Sequence, residues 1–219
     1  MSKRRNETVP MADELAGFQR SWNAKAPEGL QEKFENGIKE TEALKDTALS
    51  PGDTAPDFEL KNALNEPVKL STLLQGGPVI LSWYRGGWCP YCNIQLRYLQ
   101  SYLPQFKEAG ATLVALSPEL PDKSLNTIEK NNLEFEVLTD YNNELARQFR
   151  IAFTLNDELI EIYNDFHKLV TYNGVATNEL PVPATYVIGT DRIIRYAFVD
   201  TDYRQRAEPA EILDVLRRL

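Results

Sequence analysis

The spacing of apolar residues divides the chain into a short helical part and a longer part of mixed pattern. Within residues 11–48, apolar side chains recur every three or four positions, interrupted at residues 27–29 (Pro-Glu-Gly). That period is typical of amphipathic helices, so two helices are expected before residue 50. We therefore predict a helical N-terminal extension, residues 1–48, and an α/β domain, residues 49–219. The extension is expected to pack on the domain, and a dimer contact is the alternative.

From residue 51 onward, short apolar runs of strand length alternate with helical patterns. The predicted strands cover 58–60, 68–70, 79–84, 111–116 and 135–138. The predicted helices cover 71–74, 90–107, 125–131, 144–149 and 157–172. A hairpin of 184–188 with 193–199 and a helix at 209–219 complete the pattern. Strands that alternate with helices and end in a hairpin predict a mixed central sheet with helices on both faces.

Charge and composition narrow the possible environments of the protein. The 219-residue chain has a formal net charge of -8, which argues against a nucleic-acid partner because phosphate binding needs a basic face. No stretch approaches the ~18 apolar residues of a membrane span. The first residues lack the apolar region of a signal peptide. We expect a cytoplasmic protein that binds neither membranes nor nucleic acids.

The chain has only two cysteines, Cys89 and Cys92, in the segment Trp-Cys-Pro-Tyr-Cys at 88–92. Pro90 suits the first position of a helix, which places Cys89 at the N-cap and Cys92 in the first turn. Residues i and i+3 share a helix face, so the two sulfurs can meet. The unpaired N–H groups and the dipole of the helix start stabilise a thiolate there. This arrangement predicts reversible dithiol–disulfide chemistry.

Three other interpretations of the cysteine pair are weaker. Half of a zinc site would need His167, the only histidine, together with a carboxylate. A structural disulfide would close a very small loop, and two inert buried thiols would not need the strand–glycine–glycine context before them. We expect no metal or other cofactor, and His167 to be an ordinary surface or core residue. Arg85 and the glycines Gly86 and Gly87 are expected to supply positive charge and an open approach for substrate.

Segment 88–92 resembles the active site of the thioredoxin superfamily, and the wider pattern resembles its peroxiredoxin-like branch, the alkyl hydroperoxide reductase and thiol-specific antioxidant family. The supporting segments are 52–60, 79–84, 137–140 and 182–188. The resemblance covers roughly residues 50–219 and implies a thioredoxin-like fold. It implies an antioxidant thiol-dependent peroxidase whose dithiol cycles to a disulfide and is reset by a thioredoxin- or glutaredoxin-type reductant. It also implies that Pro183 is a cis proline facing the active site.

The chain departs from the family motif Pro-x-x-x-Thr-x-x-Cys. Laid over this sequence, the motif puts Arg85 at the proline, Cys89 at the threonine and Cys92 at the peroxide-attacking cysteine. The buried aspartate of thioredoxins is replaced by Trp83. The arginine of the peroxiredoxin site falls near Pro183, so it is not supplied at that place.

Two later arginines, Arg204 and Arg206, are candidates to replace the missing one. They belong to the charge-dense segment 202–206, which follows a predicted strand. The simplest interpretation of that segment is a solvated salt-bridge cluster, and an anion-binding or thiol-activating arginine is the alternative.

Three functions are consistent with these residues. The first is a thiol-dependent peroxidase acting on peroxide. The second is a protein disulfide oxidoreductase in which Cys89 attacks, Cys92 resolves and Pro183 shapes the substrate face. The third is a redox-sensing or interaction protein whose N-terminal extension binds a partner while the dithiol acts as a switch. A homodimer is a further expected assembly. Helix-cap position and exposure favour Cys89 as the attacking thiol, whereas the family motif favours Cys92, and we expect Cys89. The predicted site residues are Cys89 and Cys92, supported by Arg85, Trp88, Pro90 and Pro183.

Overall fold

A computed structural model describes residues 10–166 and 169–219, so His167 lies outside the described residues. The helices are α1 (Met11–Asn23), α2 (Leu30–Glu40), α3 (Leu44–Thr47), α4 (Leu70–Leu73), α5 (Pro90–Glu108), α6 (Pro121–Asn131), α7 (Glu144–Gln148), α8 (Asp157–Phe166), α9 (Leu169–Asn173) and α10 (Pro209–Leu216). The strands are β1 (Glu59–Asn62), β2 (Pro67–Lys69), β3 (Val79–Trp83), β4 (Thr112–Ser117), β5 (Glu136–Thr139), β6 (Ala152–Thr154), β7 (Glu179–Pro181), β8 (Ala184–Ile188) and β9 (Ile194–Val199).

Seven strands form one mixed sheet in the order β2-β1-β5-β4-β3-β8-β9. Strands β3, β4 and β5 run parallel to one another, whereas β8 pairs antiparallel with both β3 and β9. Helical crossovers join the parallel strands, as parallel pairing requires, and a hairpin joins β8 to β9. The predicted mixed sheet and thioredoxin-like fold are confirmed.

The central strand β3 is buried along its whole length and contributes side chains to two hydrophobic cores. Because successive side chains of a strand point to opposite faces, Val79, Leu81 and Trp83 enter one core, while Ile80 enters the other. Helices α1, α5 and α10 cover the Ile80 face, and α3, α4 and α7 cover the Trp83 face. The sheet is therefore covered on both faces, which explains the uninterrupted apolar run that predicted β3.

The N-terminal helices pack against the rest of the chain. Met11 and Leu15 of α1 are buried in the core that α5 and α10 form. The backbone N–H groups of Met11 and Ala12 donate to the carboxylate of Glu208, at 3.3 and 2.7 Å. That carboxylate lies at the start of α1, where a negative charge stabilises the helix. Intramolecular packing is therefore the arrangement seen for this extension.

Short elements are where the sequence pattern and the structure differ. Strands β6 and β7 pair with each other over three residues each and were not expected. A run of three residues carries too little periodicity to be read from sequence. The predicted helix 157–172 is seen as α8 and α9 on either side of residues 167–168. Within the described residues, no helix is both long and apolar enough to cross a membrane.

Candidate active site

The dithiol lies where β3 gives way to helix α5. Pro90 occupies the first turn of α5, and Cys89 is its N-cap residue with extended backbone angles of φ -83° and ψ 117°. The side chain of Asn93 fixes this entry by donating to the carbonyl oxygens of Gly87 and Cys89, each at 2.8 Å. The predicted placement of the two cysteines at the helix start is confirmed.

The glycines before the cysteines are needed for close packing. Gly86 has φ +151°, and a Cβ there would lie 2.2 Å from Nε1 of Trp88. A Cβ on Gly87 would lie 2.1 Å from Oγ1 of Thr127. Both contacts are far shorter than van der Waals distance, so any side chain would displace the loop. The expected open approach at these glycines is wrong, because neighbouring side chains fill the space.

Both thiols are free and buried, with Cys89 exposed by 2% and Cys92 by 0%. The exposure that favoured Cys89 as the attacking thiol is therefore absent. Cys89 borders a cavity of about 300 Å³, whereas Cys92 is not among the residues that line it. The two sulfurs differ in what surrounds them and not in how exposed they are.

The sulfur of Cys92 is surrounded by hydrogen-bond donors. The backbone N–H of Arg85 lies 3.5 Å from it, and Nη2 of Arg206 lies 3.4 Å away. The Cys89 thiol also lowers the pKa of Cys92. Donors of this kind favour the charged form of a thiol. Arg206 thus reaches the Cys92 sulfur from a segment 114 positions further along the chain.

A buried polar network holds Arg206 in position. Its Nε donates to Oε1 of Gln95 at 2.8 Å, and Nε2 of Gln95 faces the hydroxyls of Ser82 and Thr185 at 3.3 and 3.4 Å. Arg204 points elsewhere and pairs with Asp202 and Glu35. The salt-bridge interpretation of segment 202–206 therefore fits Arg204, and the thiol-contact alternative fits Arg206.

These contacts separate the acidities of the two thiols. Burial by itself would raise the pKa of Cys92, but the hydrogen bond from Cys89, the charge of Arg206 and the Arg85 amide lower that pKa to about 5. Burial raises the pKa of Cys89 well above its usual range, and the hydrogen bond to Cys92 raises it further. The favoured state therefore has a thiolate at Cys92 and a neutral thiol at Cys89.

The buried carboxylate of Glu119 holds the loop that contains Gly87, and the sequence analysis did not predict this role. It accepts a hydrogen bond from the N–H of Gly87 at 2.7 Å and another from the hydroxyl of Tyr84 at 3.2 Å. Burial raises the pKa of Glu119 to about 7, although the Gly87 bond opposes the shift. The sequence could have indicated it, because Glu119 follows β4 as the cysteine segment follows β3. Parallel strands end at the same edge of a sheet, so the two segments lie close together.

The guanidinium of Arg85 is buried among aromatic rings. Its central carbon lies 5.2 Å from the ring centroid of Trp88, 5.0 Å from that of Tyr163 and 4.5 Å from that of Tyr203. It also donates a hydrogen bond to the hydroxyl of Tyr163. Cation–π contacts of this kind partly replace the hydration that the guanidinium loses on burial.

Four of the predicted site residues meet at one cavity, which Arg85, Trp88, Cys89 and Pro90 all line. Pro183 is buried beside a smaller adjoining cavity and does not line the larger one. The expected cis bond at Pro183 is wrong, since no cis peptide is found among the described residues. The trans form is the lower in free energy by roughly 0.5–1 kcal/mol. The preceding residue, Val182, donates its N–H to the Ile151 carbonyl at 2.7 Å.

Trp83, at the position of the thioredoxin aspartate, turns away from the thiols into the opposite core. Its indole N–H donates to the carboxylate of Asp140 at 3.3 Å, which also accepts the N–H groups of Leu145 and Ala146 at 2.8 Å. Trp83 and Asp140 therefore support the start of α7. Across residues 10–166 and 169–219, no group of three or more His, Cys, Asp or Glu side chains is arranged to hold a metal ion.

The fold is thioredoxin-like, and two free buried thiols lie at the start of helix α5. Residues 51–197 match the model of the AhpC/TSA family, so the chain belongs to that family. The predicted family resemblance is confirmed.

Individual relatives agree with this assignment. A putative peroxiredoxin of Mycobacterium tuberculosis is 25% identical over 171 residues, which cover 78% of this chain and 98% of that protein. A putative peroxiredoxin of Buchnera aphidicola is 33% identical over 105 residues, covering 48% of this chain and 66% of the relative. The crystal structure of peroxidoxin BcpB from M. tuberculosis has a TM-score of 0.62 at 24% identity, over 78% of this chain and 98% of that one. The enzyme class is that of the peroxiredoxins, which are thiol-dependent peroxidases.

Proposed function

We propose that the protein reduces peroxides with Cys92 as the attacking thiolate and Cys89 as the resolving thiol. The observation that carries this assignment is the pair of donors at the Cys92 sulfur, the Arg85 amide and the Arg206 guanidinium. A thiolate, and not a thiol, is the nucleophile toward peroxide. The proposal replaces the expectation that Cys89 attacks.

The first half-reaction forms a sulfenic acid. The Cys92 thiolate attacks one peroxide oxygen, the O–O bond breaks, and Cys92 becomes S–OH while the other oxygen leaves as an alcohol or water after taking up a proton. Nη2 of Arg206 and the Arg85 N–H, which face the sulfur, stabilise the negative charge that moves onto the oxygens. The Cys89 thiol then displaces water from Cys92 and forms the disulfide.

The second half-reaction restores the dithiol with a thioredoxin- or glutaredoxin-type reductant. An incoming thiolate attacks Cys89, the sulfur that borders the cavity. Cys92 is the leaving group, and exchange is faster when the leaving thiol has a low pKa. The second thiol of the reductant then attacks the mixed disulfide, which frees Cys89 and leaves the reductant as a disulfide. This assignment gives each cysteine a step that its surroundings favour. We place this antioxidant cycle in the cytoplasm, where such reductants are available.

Stopped-flow oxidation of the reduced protein by hydrogen peroxide tests the roles of the two sulfurs. We expect Cys92→Ser to lose the fast reaction. Cys89→Ser should keep it but stop at a sulfenic acid that dimedone traps. Fast oxidation of Cys92→Ser would overturn the assignment, and a wild-type rate no higher than that of free cysteine would overturn the peroxidase.

A second candidate, disulfide exchange on an external substrate, is supported by the position of Cys89 at the cavity. The thiol-disulfide oxidoreductase ResA of Oceanobacillus iheyensis is 33% identical over 106 residues, covering 46% of this chain and 54% of ResA. A small disulfide in the same stopped-flow assay separates the two functions. Faster oxidation by the disulfide than by hydrogen peroxide would favour exchange.

Residues 49–219 are proposed to form the catalytic domain and residues 1–48 an accessory segment, whose described helices α1 and α2 close the cavity. Phe18, Trp22, Leu30 and Phe34 of α1 and α2 supply one wall, while Cys89 and Arg85 supply another. The extension thereby gains a role at the site in place of the partner-binding role considered from sequence.

A further inference from the structure

The cavity beside Cys89 has a strongly apolar wall. Of about 300 Å³, it lies between helices α1 and α2, the cysteine segment and helix α8. Seven aromatic side chains dominate the lining: Phe18, Trp22, Phe34, Trp88, Tyr91, Tyr163 and Tyr203. Apolar walls with a few placed polar groups are typical of small-molecule sites. Hydrogen peroxide needs no such wall, so the cavity points to a larger organic ligand.

The charge of the cavity is opposite to that of the protein. The chain as a whole carries 32 acidic against 24 basic side chains. Lys25 and Arg85 line the cavity, and none of its described lining residues is an aspartate or glutamate. An apolar site that holds cations and lacks acids is complementary to an organic anion.

Arg85 has the capacity to bind that anion. Its side chain is only 3% exposed, and its Nε has no hydrogen-bond partner. Within the described chain, no carboxylate lies within ion-pair distance of its guanidinium. Aromatic rings and one tyrosine hydroxyl contact the guanidinium, and the only opposite charge described near it is the Cys92 thiolate. A buried cation with no carboxylate partner is costly, and a bound carboxylate would reduce that cost.

We propose that this cavity binds an apolar organic acid, with its carboxylate on Arg85, its apolar body against the aromatic walls and its reactive group next to Cys89. The proposal rests on the peroxidase function above and names the ligand class of the same site. Two kinds of reactant share this chemistry. A hydroperoxide acid would have to extend its O–O group past Cys89, which lines the cavity, to oxidise Cys92, which does not. A thiol acid would attack Cys89 of the disulfide and release Cys92, and a second thiol would then break the mixed disulfide on Cys89.

Binding of an unreactive pair of probes, 4-phenylbutyrate and its amide, tests the ligand class independently of catalysis. Trp22 and Trp88 line the cavity, so tryptophan fluorescence of the full-length reduced protein reports occupancy. We expect the acid to bind about 10- to 100-fold more tightly than the amide, as a charge-assisted bond to a buried guanidinium provides. Equal affinities for the two probes, or no binding of either at millimolar concentration, would overturn the proposal.

Substitutions at Arg85 test whether this residue causes the preference for the acid over the amide. Arg85→Gln should abolish it and Arg85→Lys should restore part of it. Arg195→Gln is the matched control, since Arg195 pairs with Asp191 in the β8–β9 hairpin and does not line the cavity. If Arg85→Gln does not fold, Trp22→Ala still tests the wall, because it should weaken acid and amide by similar factors. An acid preference that survives in a folded Arg85→Gln protein contradicts the proposal.

Kinetics then distinguish the two sources of the ligand. Reduced protein is oxidised with a hydroperoxide acid and with its methyl ester, and oxidised protein is reduced with 3-mercaptopropionate and with its methyl ester. A preference for the acid in the first pair identifies the oxidant, and a preference in the second identifies the reductant. No preference in either pair would contradict a reactant role for the ligand. Oxidation of the wild type by hydrogen peroxide is measured in parallel. If hydrogen peroxide does not oxidise it, the proposed peroxidase function is contradicted, whereas the binding result for the acid and its amide is unaffected.

Discussion

The two cysteines occupy one turn of the same helix, yet they face different surroundings. Cys92 faces a polar interior of Arg206, Gln95 and the Arg85 amide, whereas Cys89 faces an aromatic cavity. Helix-start geometry is shared by both and so cannot by itself explain a difference in acidity. The separation arises from side chains that other elements bring to one sulfur and not to the other.

The largest expected effect comes from removing the cation beside Cys92. Arg206→Met should raise the pKa of Cys92 and slow its oxidation near neutral pH by about 10- to 100-fold, the range for a lost hydrogen bond to a charged group. Stopped-flow oxidation by hydrogen peroxide measures the change. Arg204→Met is the control, because Arg204 bonds Asp202 and Glu35. Equal slowing in both variants would mean that the effect is not specific to the thiolate.

The pH dependence of thiol reactivity tests which environment holds the thiolate. With the pKa of Cys92 lowered to about 5, alkylation of reduced protein by iodoacetamide should be flat above about pH 6 and fall about tenfold by pH 4. The folded pKa lies below the ordinary 9.0, so ionised Cys92 stabilises the fold at high pH and that stability is lost as pH falls through 5. A rate that instead climbs steadily toward pH 9 would assign the reactivity to a thiol of ordinary or raised pKa.

Gly87 lies in the loop before the two cysteines, where a single added carbon atom would disturb the packing. Gly87→Ala should destabilise the protein by about 1–3 kcal/mol, because its Cβ would overlap Thr127 and overpacking has a cost of that size. Urea denaturation measures the difference. Gly17→Ala in helix α1 is the opposite case, since its Cβ meets nothing closer than 3.8 Å and alanine favours helices. Similar losses in both variants would show that the loop has room to adjust.

Glu119, which accepts a hydrogen bond from the Gly87 amide, should make the stability of the protein depend on pH. Its pKa of about 7 lies above the ordinary 4.5, so the native state holds the proton more tightly than the unfolded chain between these values. Stability should therefore fall by about 2–3 kcal/mol as pH rises from about 4.5 to 7, since each pKa unit corresponds to roughly 1.4 kcal/mol. Glu119→Gln should flatten this dependence in urea titrations at several pH values. An unchanged slope in the variant would place the titrating group elsewhere.

Sequence reasoning succeeded where a feature is local or periodic. The strand of 79–83, the proline at the first turn of α5 and Cys89 at its N-cap all follow from neighbouring residues. The family was also readable from short segments, as the match over 51–197 shows. The cis bond expected at Pro183 was taken from the family and not from local chemistry, and the structure has it trans.

By itself, the sequence determined the mixed sheet, the helix start and the pairing of two thiols one turn apart, because backbone periodicity and capping act over a few residues. Only the tertiary structure decided which sulfur is acidic. Arg206 lies 114 positions from Cys92, and Glu119 lies 32 positions from the loop it supports. Packing of α1 and α2 over the site likewise created the cavity at Cys89. Such contacts depend on how separate elements pack and on side-chain conformation, which no spacing along the chain records.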